Sequence, residues 1–153
     1  MIKQVKINNF IISNNLPFTL IAGPCQLENR EHAIFIAEKI KQICEKLKIN
    51  FIYKTSFDKA NRTSHLSKRG LGLDKSIKIF DEIRNKLKIP ILTDVHTSEQ
   101  CEIIQNSVDI IQIPAFLCRQ TDLLQSAART NLVINIKKGQ FLAPWDVPNI
   151  LRK

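Results

Sequence analysis

The chain has 153 residues, 44% of them hydrophobic, and a formal net charge of +9 at pH 7. This length and apolar content suit one domain with a hydrophobic core. The sequence contains no run of about 18 uncharged apolar residues that could span a membrane, and it does not start with the apolar segment of a signal peptide. The positive charge suits a nucleic-acid binder or an enzyme for small phosphorylated anions. The lysines over 39–48 and 75–88 alternate with acidic residues, as on solvated helix faces. We therefore favour the enzyme over the nucleic-acid binder and expect no nucleic-acid partner.

The first third of the chain predicts a hairpin and the start of a strand–helix alternation. Residues 4–12 form two short strand patterns around Asn8-Asn9, in a hairpin that begins near Ile2. Phe18–Ala22 is a short apolar run that Gly23-Pro24 stops, as expected for a buried strand. A helix over about 30–47 follows. Its predicted apolar face consists of Ala33, Ile36, Ala37, Ile40, Ile43, Cys44 and Leu47.

The alternation continues to the end of the chain. Phe51–Tyr53 begins a strand, the long polar stretch 55–72 follows it, and a helix is predicted over 74–87. Ile89–Leu92 is a buried strand, and the capping-box spacing of Thr97-Ser-Glu-Gln predicts that a helix begins there. The remaining elements are a strand at Val108–Ile113, a helix over 119–129, a strand at Leu132–Ile136 and a helix from about Pro144. This order predicts an α/β fold with a parallel sheet; an open doubly wound sheet and a (β/α)8 barrel both fit it.

Each of the five predicted strands of this sheet ends in a polar or reactive side chain. These residues are Cys25, Lys54, Asp94, Gln112 and Lys137. The strands of a parallel sheet are buried on both faces, and in barrels the catalytic groups come from the carboxyl ends of several strands. One such residue alone could be a solvated strand end, but five together predict a shared site.

The segment after the second of these strands carries the densest group of polar side chains. Lys54, Lys59 and Arg62 supply cations, and Ser56, Asn61, Thr63 and Ser64 supply hydrogen-bond donors. Arginine pairs with phosphate through two parallel hydrogen bonds, whereas lysine acts as a compact point charge. About 18 residues without regular structure favour a functional loop over a basic surface loop.

Five motifs give the chain a specific resemblance. IAGPCQLE (21–28), KTSFDKANRTS (54–64), TDVH (93–96), IQIPAFLCRQTDL (111–123) and INIKKGQFLAPWD (134–146) resemble, in that order, the successive strand motifs of the 3-deoxy-D-manno-octulosonate 8-phosphate synthases. The resemblance covers essentially the whole chain, and its KANR and PAFLxRQTDL segments are highly specific. The sister aldoheptulosonate 7-phosphate synthases share the GPC turn, but these two segments are not expected in them.

The resemblance implies a TIM barrel that condenses phosphoenolpyruvate with arabinose 5-phosphate in the cytoplasm, for the Kdo part of lipopolysaccharide. It implies that Lys54, Lys59, Asp94 and Lys137 are catalytic and that the substrates contact Ser56, Asn61, Arg62, Thr63, Gln112, Pro114 and Ala115. Among these, Asn61, Arg62 and Thr63 would hold the sugar phosphate, and Asp94 would lie near the sugar and a metal. Small phosphorylated molecules are therefore the expected partners, and full-length members are expected to be homo-oligomers.

The cysteines divide into one predicted metal ligand and three predicted packing residues. The family has a metal-dependent class with cysteine in the GPC turn and a metal-independent class with asparagine there. Cys25 thus implies a divalent metal, such as zinc, iron or manganese. Cys44, Cys101 and Cys118 lie on or beside helical patterns and are expected to pack in the core. His96, two residues after Asp94, is a weaker site candidate.

A complete barrel takes roughly 250 residues. We therefore expect residues 1–153 to form a single, incomplete barrel domain of about five of the eight strands, truncated before the last ones. The resemblance places a further phosphoenolpyruvate-binding arginine and the remaining metal ligands (His, Glu and Asp) beyond Lys153. Three hypotheses follow: the synthase itself, a non-catalytic remnant of it, and, disfavoured by the KANR segment, the sister synthase acting on erythrose 4-phosphate.

Overall fold

A computed structural model describes residues 3–153 and begins with the predicted hairpin. β1 (Gln4–Ile7) and β2 (Phe10–Ser13) pair antiparallel, with Gln4 opposite Ser13. Asn8 turns the chain with a φ of 48°, a left-handed conformation that asparagine tolerates better than most residues. The hairpin is therefore confirmed, while Ile2, with which the prediction began, lies outside the described residues.

A five-stranded parallel sheet forms the centre of the molecule. Its strands are β3 (Thr19–Ala22), β4 (Asn50–Lys54), β5 (Ile91–Asp94), β6 (Ile110–Ile113) and β7 (Val133–Ile136). They lie side by side in sequence order, all parallel. A doubly wound sheet would reverse its strand order at a switch point, whereas a barrel adds each strand beside the previous one. The fold is thus a half-barrel, an incomplete (β/α)8 barrel, as predicted.

Helices connect the strands and cover the outside of the sheet. They are α1 (Arg30–Leu47), α2 (Leu73–Leu87), α3 (Ser98–Ile104), α4 (Thr121–Arg129) and α5 (Val147–Leu151), with short 3-10 turns at Ala115–Leu117 and Pro144–Asp146. α1 begins where the Asn29 side chain accepts a hydrogen bond from the His32 backbone N–H, and it ends at Lys48 in the left-handed region. Across residues 3–153, no helix combines the length and the apolar character that crossing a membrane requires.

Two details of the helices differ from the predictions. Ile43 and Leu47 are 55% and 62% exposed, while Ile34, which was not assigned to the apolar face of α1, is buried. The apolar stripe of α1 is wider than the surface that the sheet and α2 cover, so one flank faces solvent. At α3 the helix begins as predicted, but the Thr97 side chain makes no capping bond, and Gln100 accepts from the His96 N–H instead.

The period-2 alternation of the strands sorts their side chains into two cores. Outward side chains such as Phe51, Tyr53 and Ile111 pack against the helices. Inward side chains Ile52, Leu92 and Ile110 form a smaller cluster with Ile7 of the hairpin. Because these inward residues lie toward the amino ends of their strands, the hairpin closes that end of the half-barrel, as predicted, and leaves the carboxyl ends open.

Candidate active site

The strand alternation that buries Ile52, Leu92 and Ile110 also points the next inward residues into the carboxyl end. Two residues further along the same strands stand Lys54, Asp94 and Gln112. Asp94 is the register partner of Gln112, and Gln112 is the register partner of Asn135 on β7. Lys137 follows Asn135 by two residues and therefore continues the inward side.

These side chains line a cavity of about 290 Å3 at the carboxyl ends of the strands. The predicted site residues that it brings together are Lys54, Lys59, Asn61, Asp94, Gln112, Pro114, Ala115 and Lys137. Its lining also contains Asp58, Ala60, His96, Phe116, Leu117 and Gln140. Asp58 is already paired with Arg69, so the lining offers three lysines against one free carboxylate, Asp94. An anionic ligand is what this excess of positive charge can bind.

A close backbone approach creates the corner from which Lys54 enters the cavity. A Cβ atom on Gly23 would lie 2.0 Å from the Lys54 carbonyl oxygen, so only glycine fits there. The GPC turn can thus lie directly against the end of β4, and Gln26 pairs in parallel with Ser56 just beyond it. Gly23 therefore explains why the turn and the following polar loop form one corner.

Ser56 joins the two lysines of this corner. Its buried hydroxyl oxygen accepts from Lys54 Nζ at 3.0 Å and from Lys59 Nζ at 2.8 Å. Burial lowers the pKa of Lys54, the charge of Lys59 lowers it further, and the nearby Asp94 and Cys25 oppose that shift. Among residues 3–153 no carboxylate bonds to either of these two ammonium groups, and holding them close together costs free energy that a bound anion would offset.

Asp94 is buried and only partly satisfied. Its Oδ2 lies 3.5 Å from His96 Nε2, and its Oδ1 has no hydrogen-bond partner among residues 3–153. Burial raises the pKa of Asp94, but the His96 and Ser56 side chains and the Lys54 charge outweigh burial and lower it. The result is an ionised carboxylate with a free acceptor atom, suited to a ligand hydroxyl or a cation.

The long polar loop is ordered by contacts at its two ends. Phe57 is fully buried and meets the His96 ring edge to face, with 5.8 Å between centroids. The Lys59 N–H donates to the Arg69 carbonyl at 2.7 Å, and Gly72 N–H donates to the Phe57 carbonyl. These contacts hold Lys59 and Asn61 at the cavity although the loop contains no helix or strand of its own.

Two predicted sugar-phosphate residues lie outside the cavity lining. Arg62 Nη2 donates to Gln26 Oε1 at 2.7 Å, and its Nε donates to the Lys68 carbonyl at 3.3 Å. Thr63, the next residue of the loop, is exposed. The structure therefore groups Arg62 with the GPC turn, through Gln26, and apart from Lys54 and Lys137.

Cys25 is exposed next to Lys54, unlike the other three cysteines, which are buried as predicted. The exposed thiol of Cys25 and the free Oδ1 of Asp94 are suitable metal-ligand types. A catalytic metal typically needs about three protein ligands, and residues 3–153 contain no group of three or more His, Cys, Asp or Glu side chains placed to hold one. These residues alone therefore do not complete a metal site.

The structure adds two residues that the sequence patterns did not single out. Asn135 donates from Nδ2 to Gln112 Oε1 at 3.0 Å, and Gln26 holds Arg62 as described above. Asn135 could have been found from the strand period, since it stands two residues before Lys137 on the same strand side. Gln26 gave no such signal, because its contact joins segments 36 positions apart in the sequence.

Comparisons with known proteins agree with this architecture. Three similar curated proteins are each named 2-dehydro-3-deoxyphosphooctonate aldolase. The Chelativorans sp. (strain BNC1) protein is 59% identical over 150 residues, which are 98% of this chain and 54% of that protein. The Bartonella henselae protein is 60% identical over 97% of this chain and 53% of its own length. The Rickettsia felis protein is 56% identical over 100% of this chain and 56% of its own length.

The chain thus spans about half the length of the curated relatives that it matches. A family model described as the DAHP synthetase I family matches residues 2–153, nearly the entire sequence. The match includes all five strands of the half-barrel and every residue that lines its cavity. This chain therefore belongs to the DAHP synthetase I family.

Proposed function

We propose that this chain forms the substrate-binding half-barrel of a synthase that makes 3-deoxy-D-manno-octulosonate 8-phosphate for lipopolysaccharide. In this reaction C3 of phosphoenolpyruvate bonds to the aldehyde carbon of D-arabinose 5-phosphate. Water adds at C2, and phosphate leaves as its bond to C2 breaks. The motif resemblance and the printed name of the relatives, 2-dehydro-3-deoxyphosphooctonate aldolase, support this choice of substrates.

The observation that carries the proposal is the convergence of Lys54, Lys59 and Lys137 on one cavity. Phosphoenolpyruvate carries a carboxylate and a phosphate, and the second substrate brings another phosphate. These anions repel one another, so the protein must offset their charge before the reacting carbons can meet. A cavity with three lysines and one free carboxylate provides that offset.

The place of each residue in the resembling motifs suggests which of the two substrates it contacts. Phosphoenolpyruvate is assigned to Lys54, Ser56, Lys59, Gln112, Ala115 and Lys137, and Pro114 is assigned to substrate contact in general. Asn61, Arg62 and Thr63 are assigned to the sugar phosphate, with the Arg62 guanidinium pairing with its phosphate. Asp94, whose Oδ1 is free among the described residues, accepts from a sugar hydroxyl.

We also propose that Cys25 is one ligand of a divalent metal, zinc, iron or manganese, with the other ligands supplied from outside residues 3–153. No step of the reaction is assigned to that metal. Its test is independent of activity: when the chain is fused to the carboxyl-terminal remainder of a curated relative, the metal content of the purified fusion should fall in Cys25→Ala and stay unchanged in Cys44→Ala. The reaction belongs to the cytoplasm, and the complete synthase assembles as a homo-oligomer.

Ligand binding gives the first test. Calorimetric titration of the 153-residue chain should detect phosphoenolpyruvate binding and much weaker binding of pyruvate, which lacks the phosphate. Lys59→Ala should weaken the binding of phosphoenolpyruvate about 10- to 100-fold, the effect expected from loss of charge-assisted hydrogen bonds. The matched control is Lys78→Ala, which removes an exposed lysine from α2. Equal affinity of the wild type for pyruvate and phosphoenolpyruvate would contradict the proposal.

Turnover gives the second test. The chain should be fused to the carboxyl-terminal remainder of the Rickettsia felis relative, beyond the matched 56% of its length. The fusion should release phosphate from phosphoenolpyruvate with arabinose 5-phosphate, and the 153-residue chain alone should not. Release with erythrose 4-phosphate instead would favour the sister reaction. A folded fusion that binds phosphoenolpyruvate without turnover would favour a non-catalytic protein.

A further inference from the structure

The amide of Gln112 is held by a neighbour that has no assigned role. Asn135 is its register partner on β7, and both side chains lie on the inward side of the half-barrel. Asn135 Nδ2 donates to Gln112 Oε1 at 3.0 Å, in a partly buried position. Gln112 in turn lines the cavity, together with Lys54 and Lys137.

This hydrogen bond decides which end of the Gln112 amide meets a ligand. A glutamine side chain has an accepting oxygen and a donating NH2 group on the same planar carbon, so the two groups diverge and face different neighbours. Since Asn135 occupies the oxygen, the NH2 group is the end left for the cavity. An NH2 group is a donor, and donors are what an anionic ligand requires.

Without this restraint the empty cavity would favour the opposite orientation. Lys54, Lys59 and Lys137 make the cavity positive, and a positive field attracts the amide oxygen. A Gln112 side chain turned in that way would present its oxygen to the incoming anion and would have to rotate before binding. Asn135 removes that step because it fixes the donor orientation beforehand.

We propose that Asn135 is a positioning residue that fixes the Gln112 amide with its NH2 group toward the anion. The inference rests on the proposed function only for the identity of the ligand, phosphoenolpyruvate. It assigns no bond between Asn135 and any substrate. Its effect on binding must therefore pass through Gln112, which makes it separable from a general effect on the strand.

The first experiment needs no ligand. Relaxation of the Gln112 side-chain amide should give an order parameter near 0.8 in the wild type, as for rigid groups, and below about 0.6 in Asn135→Ala. Asn135→Thr serves as a second variant, because its β-branched side chain suits a strand and so guards against destabilisation of β7 by alanine. It should lower the Gln112 order parameter in the same way. The control is Asn85→Ala, at an exposed position on α2. An equally rigid Gln112 amide in the wild type and both Asn135 variants would overturn the proposal.

The second experiment measures affinity for phosphoenolpyruvate and for inorganic phosphate in a double-mutant cycle. Asn135→Ala should weaken binding about 5-fold when Gln112 is present and less than about 2-fold in a Gln112→Ala background. Asn135→Asp should weaken it further, because a carboxylate accepts from the Gln112 NH2 group and turns the oxygen toward the ligand. Equal effects of Asn135→Ala in both backgrounds would overturn the proposal.

The two failures can be told apart. If phosphate shows the non-additive pattern and phosphoenolpyruvate does not bind, the proposed substrate is wrong and the role of Asn135 stands. If phosphoenolpyruvate binds but its affinity is independent of Asn135, the positioning role is wrong and the proposed function stands.

Discussion

The two ends of the parallel sheet each contain a buried aspartate, and the two carboxylates differ in how many hydrogen-bond partners they have among residues 3–153. At the amino end, Asp109 accepts from Asn8 Nδ2 at 3.1 Å and from the Ile91 N–H at 2.8 Å, and Arg84 lies 3.4 Å away. At the carboxyl end, Asp94 lies 3.5 Å from His96 and near the Lys54 charge, but its Oδ1 keeps no hydrogen-bond partner among residues 3–153. Both aspartate residues are at most 8% exposed.

The difference separates structure from function. The partners of Asp109 come from the hairpin, from β5 and from α2, so this carboxylate ties three segments together. Lys54 bears a desolvation cost that its neighbours recover only in part, and the neighbours of Asp94 outweigh its burial but leave Oδ1 free among residues 3–153. Buried polar groups are normally satisfied, so an unsatisfied carboxylate oxygen beside a cavity is a candidate ligand contact. We expect substitutions at the amino end to change stability and substitutions at the carboxyl end to change binding.

The largest expected effect is on stability, at Asp109. Asp109→Ala leaves the buried Ile91 N–H without an acceptor and releases Asn8, so it should lower the free energy of unfolding by about 2–4 kcal/mol. Asp94→Ala, the matched deletion at the other end, should cost less, about 1–2 kcal/mol, because it leaves no backbone N–H without an acceptor, although Lys54 and His96 lose its attraction. Urea denaturation measures both values. A larger loss for Asp94→Ala would reverse the comparison.

The next effect is on binding, at Lys54. Lys54→Met should weaken phosphoenolpyruvate binding about 10- to 100-fold, since a charge-assisted contact is lost. It should not lower the free energy of unfolding, because it removes an ammonium group whose pKa burial already lowers. Calorimetry and urea denaturation of the same sample test the two statements. The comparison would fail if the variant lost stability and kept its affinity.

A pH titration sharpens the role of Lys54 further. Its pKa in the folded chain is lowered from 10.5, chiefly by burial. The protonated form binds an anion, so phosphoenolpyruvate affinity should be lost as pH rises through the lowered pKa, in a range below 10.5. Stability has the opposite sign: between the folded pKa and 10.5 the unfolded chain binds more protons, so stability from this group rises with pH in that window. Lys54→Arg should move the loss of affinity to higher pH, since guanidinium stays charged; an unchanged profile would exclude Lys54 as its source.

The smallest expected effect is a gain at the amino end. Lys48 ends α1 with a φ of 54°, a left-handed conformation that strains residues with a Cβ atom. Lys48→Gly should therefore raise the free energy of unfolding by about 0.5–1 kcal/mol, net of the greater chain entropy of glycine. Lys46→Gly, inside the last helical turn, should lower it by about 1 kcal/mol. Phosphoenolpyruvate affinity should be unchanged in both variants. A changed affinity would contradict the statement that substitutions at the amino end affect stability alone.

Much of the fold could be predicted from the sequence because its signals are local. The apolar runs located all five parallel strands, and the Asn8-Asn9 turn located the hairpin. Errors arose where burial depends on distant segments. Ile43 and Leu47 continue the apolar stripe of α1, yet they are exposed because no neighbouring element among residues 3–153 covers that flank. At α3, Gln100 bonds to His96 rather than completing the expected capping box.

The sequence by itself determined which residues come at the carboxyl ends of the strands, since the alternation of side chains is a property of the local backbone. It thereby placed Lys54, Asp94, Gln112 and Lys137 in one region. Only the tertiary structure decided that Arg62 is held by Gln26, that Asn135 holds Gln112, and that Asp109 is satisfied while Asp94 keeps a free oxygen. These outcomes depend on strand register and on contacts between distant segments, and local backbone geometry fixes neither.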